Sequence, residues 1–296
     1  MLHELPVIFT SDGVPLAGIF VRSSASLNVR QRCVVITGSW LNVKEQMALV
    51  YARALAERGF TTFTFDFSGW GTSGGALRHW ELPNQKARDI TNAVDFVSSL
   101  SISRPKIGYL ALCASAQYAL RAAANSARIA SLVTVAGWIH DAVSVAPFYG
   151  GEAGISSRLD RARDALAEYH RSGQLRMVPA YAPGDDLAGM FFEMDYYGNP
   201  SRGAVKEWSN QMAETSWLNW FTFDGLAAAA SVSTPMLSIH SDGCVFPENI
   251  KAVHAQLTGK KRIDWIDKGT QTDFYDLPEY VNLAADRAAN WFEETL

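Results

Sequence analysis

The sequence has few cysteines, few charged residues and no basic stretch. Its three cysteines, Cys33, Cys113 and Cys244, have irregular spacing, which is typical of free thiols in a reducing compartment and argues against a disulfide framework. Charged residues make up 19% of the 296 positions, and the formal net charge is −4. A basic surface for nucleic acid is therefore not expected. We predict a cytoplasmic protein without a nucleic-acid partner.

Long apolar runs are also missing. No window approaches 18 consecutive apolar residues, so the sequence predicts no membrane-spanning segment and no membrane partner. The first residues lack a basic stretch followed by an apolar one, so we expect no secretory signal. No set of histidine, cysteine and carboxylate residues has the spacing of a metal site, and we expect neither a metal nor another cofactor.

Short apolar strands alternate with helical patterns over two parts of the chain. The alternation begins at Cys33–Thr37, whose apolar pattern is typical of a strand buried on both faces, and it runs to about residue 136. It resumes from 236 to the end. This alternation predicts an α/β fold with a mostly parallel, doubly wound sheet and helices on both faces. A hairpin is predicted before it, with strands at Leu5–Thr10 and Leu16–Arg22 joined by Ser11-Asp12-Gly13.

The stretch from 140 to 232 interrupts this alternation. It is too long for a crossover, yet Arg158–His170 has a helical pattern. We interpret it as a lid inserted after the sixth strand, with residues 1–139 and 233–296 forming one core domain. Its aromatic side chains either line a pocket or only pack the lid on the core. They include Trp208, Trp217, Trp220, Phe221 and Phe223.

A strand pattern at Ile107–Leu112 runs straight into Cys113, and a helical pattern rich in alanine follows. This arrangement resembles the nucleophile elbow of the α/β-hydrolase fold, a strained turn flanked by small residues. Two registers compete, with either Cys113 or Ser115 as the nucleophile. Cys113 is favoured because Ala111 is small, whereas the Ser115 register places the bulky Gln117 where the turn needs a small side chain. The remaining interpretation is a buried structural cysteine without chemistry.

The cysteine at the elbow makes the chain similar to the dienelactone-hydrolase branch of that superfamily. The resemblance implies that Cys113 attacks an acyl carbon and that two backbone N–H groups form an oxyanion hole. Ala114 supplies one of them. The loop after the third strand supplies the other, from Trp40 or Leu41, with Trp40 favoured. Because the elbow lies at a helix N-terminus, we expect the thiolate to be favoured.

The histidine of this fold belongs in the loop after the last strand, and no histidine occurs after His254. The stretch Gly269-Thr-Gln271-Thr-Asp273 resembles the corresponding turn of dienelactone-hydrolase-like relatives, with Gln271 in the place of the histidine. Glutamine does not accept a proton at neutral pH. Either His240 acts as a relocated base, or Gln271 only orients the thiol or substrate, or hydrolysis is lost.

The acid of the triad is also open between Asp242, near the usual position, and Asp273. We predict an esterase, thioesterase or acyl-transfer enzyme for a small to medium apolar or polyketide-like acyl group, of the kind used in secondary metabolism. The substrate is a free or carrier-bound ester, lactone or thioester. The alternatives are a lyase or cyclase and a catalytically silent binding protein. Ser115, His140 and Trp217 are predicted substrate contacts, and a homodimer is one option for the assembly.

Overall fold

The computed structural model describes residues 1–26 and 29–296. Ten strands are found in these residues. In chain order they are β1 (His3–Ser11), β2 (Val14–Arg22), β3 (Gln31–Thr37), β4 (Thr61–Phe65), β5 (Ser103–Leu112), β6 (Ile129–Val135), β7 (Met177–Pro179), β8 (Gln211–Ala213), β9 (Met236–His240) and β10 (Lys261–Trp265).

The α-helices in the same residues range from single turns to 22 residues. In chain order they are α1 (Met47–Glu57), α2 (Pro83–Ser99), α3 (Ser115–Asn125), α4 (Ala142–Val145), α5 (Gly151–Ser172), α6 (Asp195–Gly198), α7 (Ser216–Trp220), α8 (Pro247–Gln256), α9 (Asp273–Asp276) and α10 (Pro278–Thr295). Short 3-10 turns lie at Ala146–Tyr149 and Ala229–Ser231. No helix in the described part of the chain is both long enough and apolar enough to span a membrane.

Eight strands form one sheet in the order β1-β2-β4-β3-β5-β6-β9-β10. β1 and β2 form the predicted hairpin, and β2 is also antiparallel to β4. The other neighbours in this sheet are parallel. All of β4 and the stretch from Cys33 to Thr37 in β3 are buried, as expected for strands covered on both faces by helices. The predicted α/β class is confirmed.

The first crossover helix begins later than its sequence pattern indicates. Helical spacing extends from Val43, but α1 begins at Met47. The amide of Val43 donates to the side chain of Gln46 at 3.0 Å, and the amide of Lys44 donates to buried Asp66 at 2.8 Å. These side-chain acceptors hold the segment in a turn, because they satisfy amides that a helix start leaves free.

Residues 140–232, called the insertion below, lie between β6 and β9 and add no described strand to the large sheet. β7 and β8 pair only with each other. The insertion is joined to the core by backbone contacts, including the amide of Ala213 to the carbonyl of His79 at 2.8 Å. The amide of Glu81 also donates to the hydroxyl of Ser216 at 2.9 Å. That the insertion is a lid remains a prediction.

Candidate active site

Cys113 follows β5 directly and has a φ of +52°. Its amide donates to the carbonyl of Val135 at 3.1 Å, and its carbonyl accepts from the amides of Ala116 and Trp138 at 3.0 and 2.9 Å. A left-handed backbone costs a residue other than glycine about 1–2 kcal/mol. Strain of this kind persists where the surroundings over-determine it, often at functional sites. The turn holds Cys113 directly before helix α3.

The competing nucleophile, Ser115, lies elsewhere. It is the first residue of α3 and is fully buried. Its hydroxyl lies 2.7 Å from the hydroxyl of Thr37 and donates to the carbonyl of Thr37 at 3.1 Å. These bonds fix the helix to β3, and Ser115 is not among the residues that line the cavity described next. The structure therefore does not bring Ser115 to the cavity, either as a nucleophile or as a substrate contact.

A cavity of about 360 Å³ lies against Cys113. Its walls are mainly apolar and come from both the core and the insertion. The apolar and aromatic lining residues include Trp40, Trp138, Phe148, Met190, Phe192, Met194 and Val245. The polar ones are Ser39, Cys113, Tyr149, Glu193, Tyr197, Thr270, Gln271, Thr272 and Tyr275. A mostly apolar cleft with a few converging polar groups is the usual form of a small-molecule site.

The sulfur of Cys113 accepts a hydrogen bond from a neighbouring hydroxyl group. The Ser39 hydroxyl, from the loop after β3, donates to Sγ at 3.0 Å. The hydroxyl of Tyr275, on α9, and the backbone amide of Ala114 also lower the pKa of Cys113. Burial is the larger effect, and the pKa of this thiol is raised above its ordinary value. The expectation that the helix N-terminus favours a thiolate is therefore corrected, because desolvation disfavours the charged form more strongly.

Gln271 lines the cavity in the loop after β10, and both N–H groups and the oxygen of its side chain form hydrogen bonds. Nε2 donates to the carbonyl of Ala136 at 2.7 Å and to the hydroxyl of Tyr275 at 3.1 Å. Oε1 accepts from the amide of Val245 at 3.1 Å. A glutamine held at three points has one orientation. The structure thus brings Gln271, Tyr275 and Cys113 to the same cavity.

Tyr197 is a second phenol at this cavity, and it comes from the insertion. It lines the cavity and is only 3% exposed, yet its hydroxyl has no hydrogen-bond partner within the described residues. The hydroxyls of Ser39 and Tyr275 lie near enough to lower its pKa, although burial raises that pKa well above its ordinary value. Sequence reasoning missed Ser39, Tyr197 and Tyr275. No local spacing distinguishes them from other buried tyrosines and serines.

His240 and Asp242 do not line the cavity. His240, the last residue of β9, is fully buried with its ring 5.4 Å from that of Trp265. Burial lowers its pKa to about 4, so the ring is neutral at pH 7. Asp242 is exposed. Asp273 accepts from the amide of Thr270 at 2.8 Å and thereby stabilises its own turn. The structure does not bring these side chains together with Cys113.

His140 lies behind the cavity wall. Its Nδ1 accepts from the indole of Trp138 at 2.8 Å, and its Nε2 lies 2.9 Å from the carbonyl of Trp220. A carbonyl only accepts, so the proton of the neutral ring is on Nε2. Burial lowers the pKa of His140 to about 4. Its hydrogen bond positions Trp138, which lines the cavity. The side chain of His140 itself does not reach the cavity.

The loop that carries Trp40 is fixed by aromatic packing. The Trp40 ring stacks on Trp220 with centroids 3.9 Å apart. Trp217 is fully buried, stacks on Phe221 and lies outside the cavity lining. Its ring centroid is 6.0 Å from that of Trp40, so it packs the insertion on the core. The amide of Trp40 donates to no acceptor found in residues 1–26 and 29–296. A free amide at this position is what an oxyanion donor requires.

No protein-family model matches the chain. The uncharacterized protein PA2218 of Pseudomonas aeruginosa is 29% identical over 279 residues, which cover 90% of this chain and 74% of that protein. The polyketide transferase claH of Penicillium crustosum is 31% identical over 127 residues, which are 43% of this chain and 41% of that protein.

Solved structures match over the whole length. The crystal structure of PA2218 superposes with a TM-score of 0.84 at 25% identity, covering 100% of this chain and 94% of that one. The α/β hydrolase GrgF from Penicillium sp. sh18 superposes with a TM-score of 0.81 at 19% identity, covering 99% of both chains. The order and direction of the strands agree with this likeness. The chain therefore has the α/β-hydrolase fold.

Proposed function

We propose that this chain is an acyl-transfer enzyme of the esterase or thioesterase type, in which Cys113 attacks the carbonyl carbon of its substrate. The observation that carries the proposal is the position of Cys113. The side chain lies at the wall of an apolar cavity, directly before α3, on a left-handed turn. In the α/β-hydrolase fold this turn presents the nucleophile to the substrate.

In this proposal the amides of Trp40 and Ala114 bind the oxyanion that forms during the attack. The Ala114 amide already acts on the sulfur, and the Trp40 amide is free. Removing one preorganised donor of this kind typically costs about 2.7–4 kcal/mol of transition-state stabilisation. The stacked ring of Trp40 supports such preorganisation, because it fixes the loop before substrate binds.

The apolar wall favours a small to medium acyl group. A cavity of about 360 Å³ suits a medium-length acyl chain better than part of a macromolecule. A thioester suits Cys113 because the exchange of one sulfur for another at a carbonyl needs little driving force. The partial likeness to a protein named polyketide transferase supports a polyketide-like acyl group, either free or bound to a carrier.

Transfer to an acceptor is better supported than rapid hydrolysis. No histidine lines the cavity in the described part of the chain, and Glu193, the carboxylate that does, is exposed. A positioned general base typically contributes about 10²–10⁴ in rate. Water is a poor nucleophile without such a base, so we expect the acyl group on Cys113 to pass preferentially to an amine or thiol acceptor.

The test is intact-protein mass spectrometry after incubation with the octanoyl thioester of N-acetylcysteamine. We expect one octanoyl adduct on the wild type, no adduct on Cys113→Ala, and faster loss of the adduct when an amine or thiol is added. Cys244→Ala is the matched control, because Cys244 is also a buried thiol but pairs with Ser241 at 3.3 Å. Full turnover by Cys113→Ala would contradict the proposal.

A catalytically silent binding protein is the second candidate. The raised pKa of the Cys113 thiol favours it, because a buried protonated thiol is a weak nucleophile. Binding of octanoate to wild type and Cys113→Ala with equal affinity, without an adduct or turnover of any ester or thioester, would support this candidate.

A further inference from the structure

We propose that Tyr275, oriented by Gln271, relays the proton between Cys113 and the leaving group. A histidine has this task where the α/β-hydrolase fold carries one in the loop after its last strand. The inference rests on the proposed acyl transfer through Cys113. It assigns a chemical role to the two side chains that occupy the end of the cavity where a base is expected.

The orientation of Tyr275 follows from the bonds of Gln271. One N–H of the glutamine is taken by the carbonyl of Ala136, and its oxygen is taken by the amide of Val245. The second N–H donates to the phenol oxygen of Tyr275 at 3.1 Å. The phenol is thus an acceptor toward Gln271, and its own proton remains available to another group. That group is the leaving group of the substrate, and the phenol oxygen keeps a second lone pair for the thiol proton of Cys113, which lines the same cavity.

Tyr275 is held rigidly in this position. It is 2% exposed, and its ring packs edge-on against Tyr196 with centroids 5.0 Å apart. The carbonyl of its neighbour Phe274 accepts from the buried hydroxyl of Tyr51 at 2.7 Å, which fixes the backbone of α9. A relay residue needs such support, because proton transfer depends on hydrogen-bond geometry.

Tyr275 fits a neutral relay rather than a base. Burial raises its pKa well above the ordinary value, so the phenolate is not formed near neutral pH. A hydroxyl group is both a donor and an acceptor. It therefore accepts one proton and gives up another in the same step without becoming charged.

The first half-reaction balances in these terms. The S–H bond of Cys113 breaks as its sulfur bonds to the acyl carbon, and the proton passes to the oxygen of Tyr275. The phenol's original proton passes to the departing sulfur or oxygen as the bond between it and the acyl carbon breaks. The products are the acylated Cys113 and a neutral thiol or alcohol, and Tyr275 is again a phenol.

The second half-reaction reverses this path. The acceptor nucleophile bonds to the acyl carbon and gives its proton to the Tyr275 oxygen. The phenol's proton returns to the sulfur of Cys113 as the carbon–sulfur bond breaks. No base stronger than a hydroxyl is needed, which agrees with the lack of a histidine among the described lining residues.

Ser39 is the competing relay, since its hydroxyl donates to the sulfur at 3.0 Å. It precedes Trp40, whose amide belongs to the proposed oxyanion site, so it approaches Cys113 from the side of the developing oxyanion. Tyr275 approaches from the loop after β10, together with Gln271. We therefore assign to Ser39 the stabilisation of the sulfur and to Tyr275 the transfer of the proton.

The experiment compares two esters with the same acyl group, 4-nitrophenyl octanoate and ethyl octanoate. Nitrophenolate leaves without protonation, whereas ethoxide must be protonated as it leaves. The rate compared is that of acylation of Cys113 in a single turnover, followed by mass spectrometry, because both esters give the same acyl-enzyme. Tyr275→Phe is expected to slow acylation by the ethyl ester about 10²-fold or more and acylation by the nitrophenyl ester far less. Tyr280→Phe, a phenol outside the cavity lining, is the control and is expected to leave both rates unchanged.

Several outcomes would overturn the relay. Equal losses on both esters would show that Tyr275 is only structural. A selective loss on the ethyl ester in Ser39→Ala but not in Tyr275→Phe would move the relay to Ser39. If the wild type acylates with neither ester, the proposed function fails and the relay with it. Activity lost in Cys113→Ala but unchanged in Tyr275→Phe would defeat the relay alone.

Discussion

The indole Nε1 of Trp208 donates to the main-chain carbonyl of Leu41 at 2.7 Å. Trp208 belongs to the insertion, and Leu41 has a left-handed backbone with a φ of +54° directly after Trp40. The insertion therefore does more than cover the cavity. It holds the turn that carries the amide of Trp40, the proposed oxyanion donor. One hydrogen bond therefore connects the insertion, which lines the cavity, to the position of this amide.

Trp208→Phe is expected to reduce acyl transfer more than stability. The substitution keeps an aromatic ring but leaves the buried carbonyl of Leu41 without its donor, which costs about 1–3 kcal/mol. Trp80→Phe is the matched control, because this substitution also removes an indole hydrogen bond, the one that Trp80 donates to Asn219 at 2.9 Å. Turnover of the octanoyl thioester and guanidinium unfolding are measured on both. Equal effects of the two variants on turnover would contradict the connection.

Gln271→His is expected to convert the site toward a hydrolase. An imidazole in this loop supplies the general base that the cavity lacks, and it should raise thioester hydrolysis about tenfold or more. Thr272→His is the control. It places an imidazole in the same loop, also on the cavity wall, while Gln271 stays in place as the partner of Tyr275. Hydrolysis is followed by thiol release without an added acceptor. Equal gains in both variants would show that the position of Gln271 has no special access to Cys113.

The pH dependence of Cys113 alkylation is expected to change in the same variant. Burial raises the thiol pKa, so iodoacetamide labelling of the wild type should be slow at pH 7 and should increase above pH 9. A protonated imidazole nearby favours the thiolate, so Gln271→His should move this increase to lower pH. The rate of carboxamidomethylation of Cys113, read by peptide mass spectrometry, gives both profiles. Fast labelling of the wild type at pH 7 would contradict the raised pKa.

Cys113→Gly is expected to be more stable than Cys113→Ala. Both variants lose the sulfur, but only glycine adopts a φ of +52° without steric cost. The difference should be about 1 kcal/mol in the free energy of unfolding, which is the cost of a left-handed backbone for other residues. Urea unfolding of the two variants tests this. An alanine variant as stable as the glycine variant would mean that the elbow relaxes when the thiol is removed.

Acid is expected to destabilise the fold between pH 6.5 and 4. His140 and His240 are buried and neutral with pKa values of about 4, whereas an unfolded histidine takes up a proton near its ordinary value of 6.5. The unfolded chain therefore binds more protons in this window, and stability falls as the pH falls, by up to about 3 kcal/mol for each histidine. Guanidinium unfolding at pH 7.5, 5.5 and 4.5 measures the loss. His240→Phe should reduce the slope, and an unchanged slope would contradict the low pKa of His240.

Local patterns in the sequence were sufficient for the fold. The apolar run in β3 and the period of the helices predict a covered parallel sheet, because a strand or helix shows the burial of its own faces. The elbow at Cys113 was also predicted locally, since only small neighbours allow so tight a turn. The start of α1 at Met47 was not, because Asp66, which holds the preceding turn, is distant in sequence.

By itself, the sequence determined that no histidine follows His254 and that Gln271 stands in the loop after the last strand. Only the tertiary structure decided what replaces it. The residues around the thiol, Ser39, Tyr197 and Tyr275, come from separate segments, and their convergence depends on how the sheet and the insertion pack. The same packing buries His240 away from the cavity and raises the thiol pKa, because desolvation depends on all the surrounding atoms.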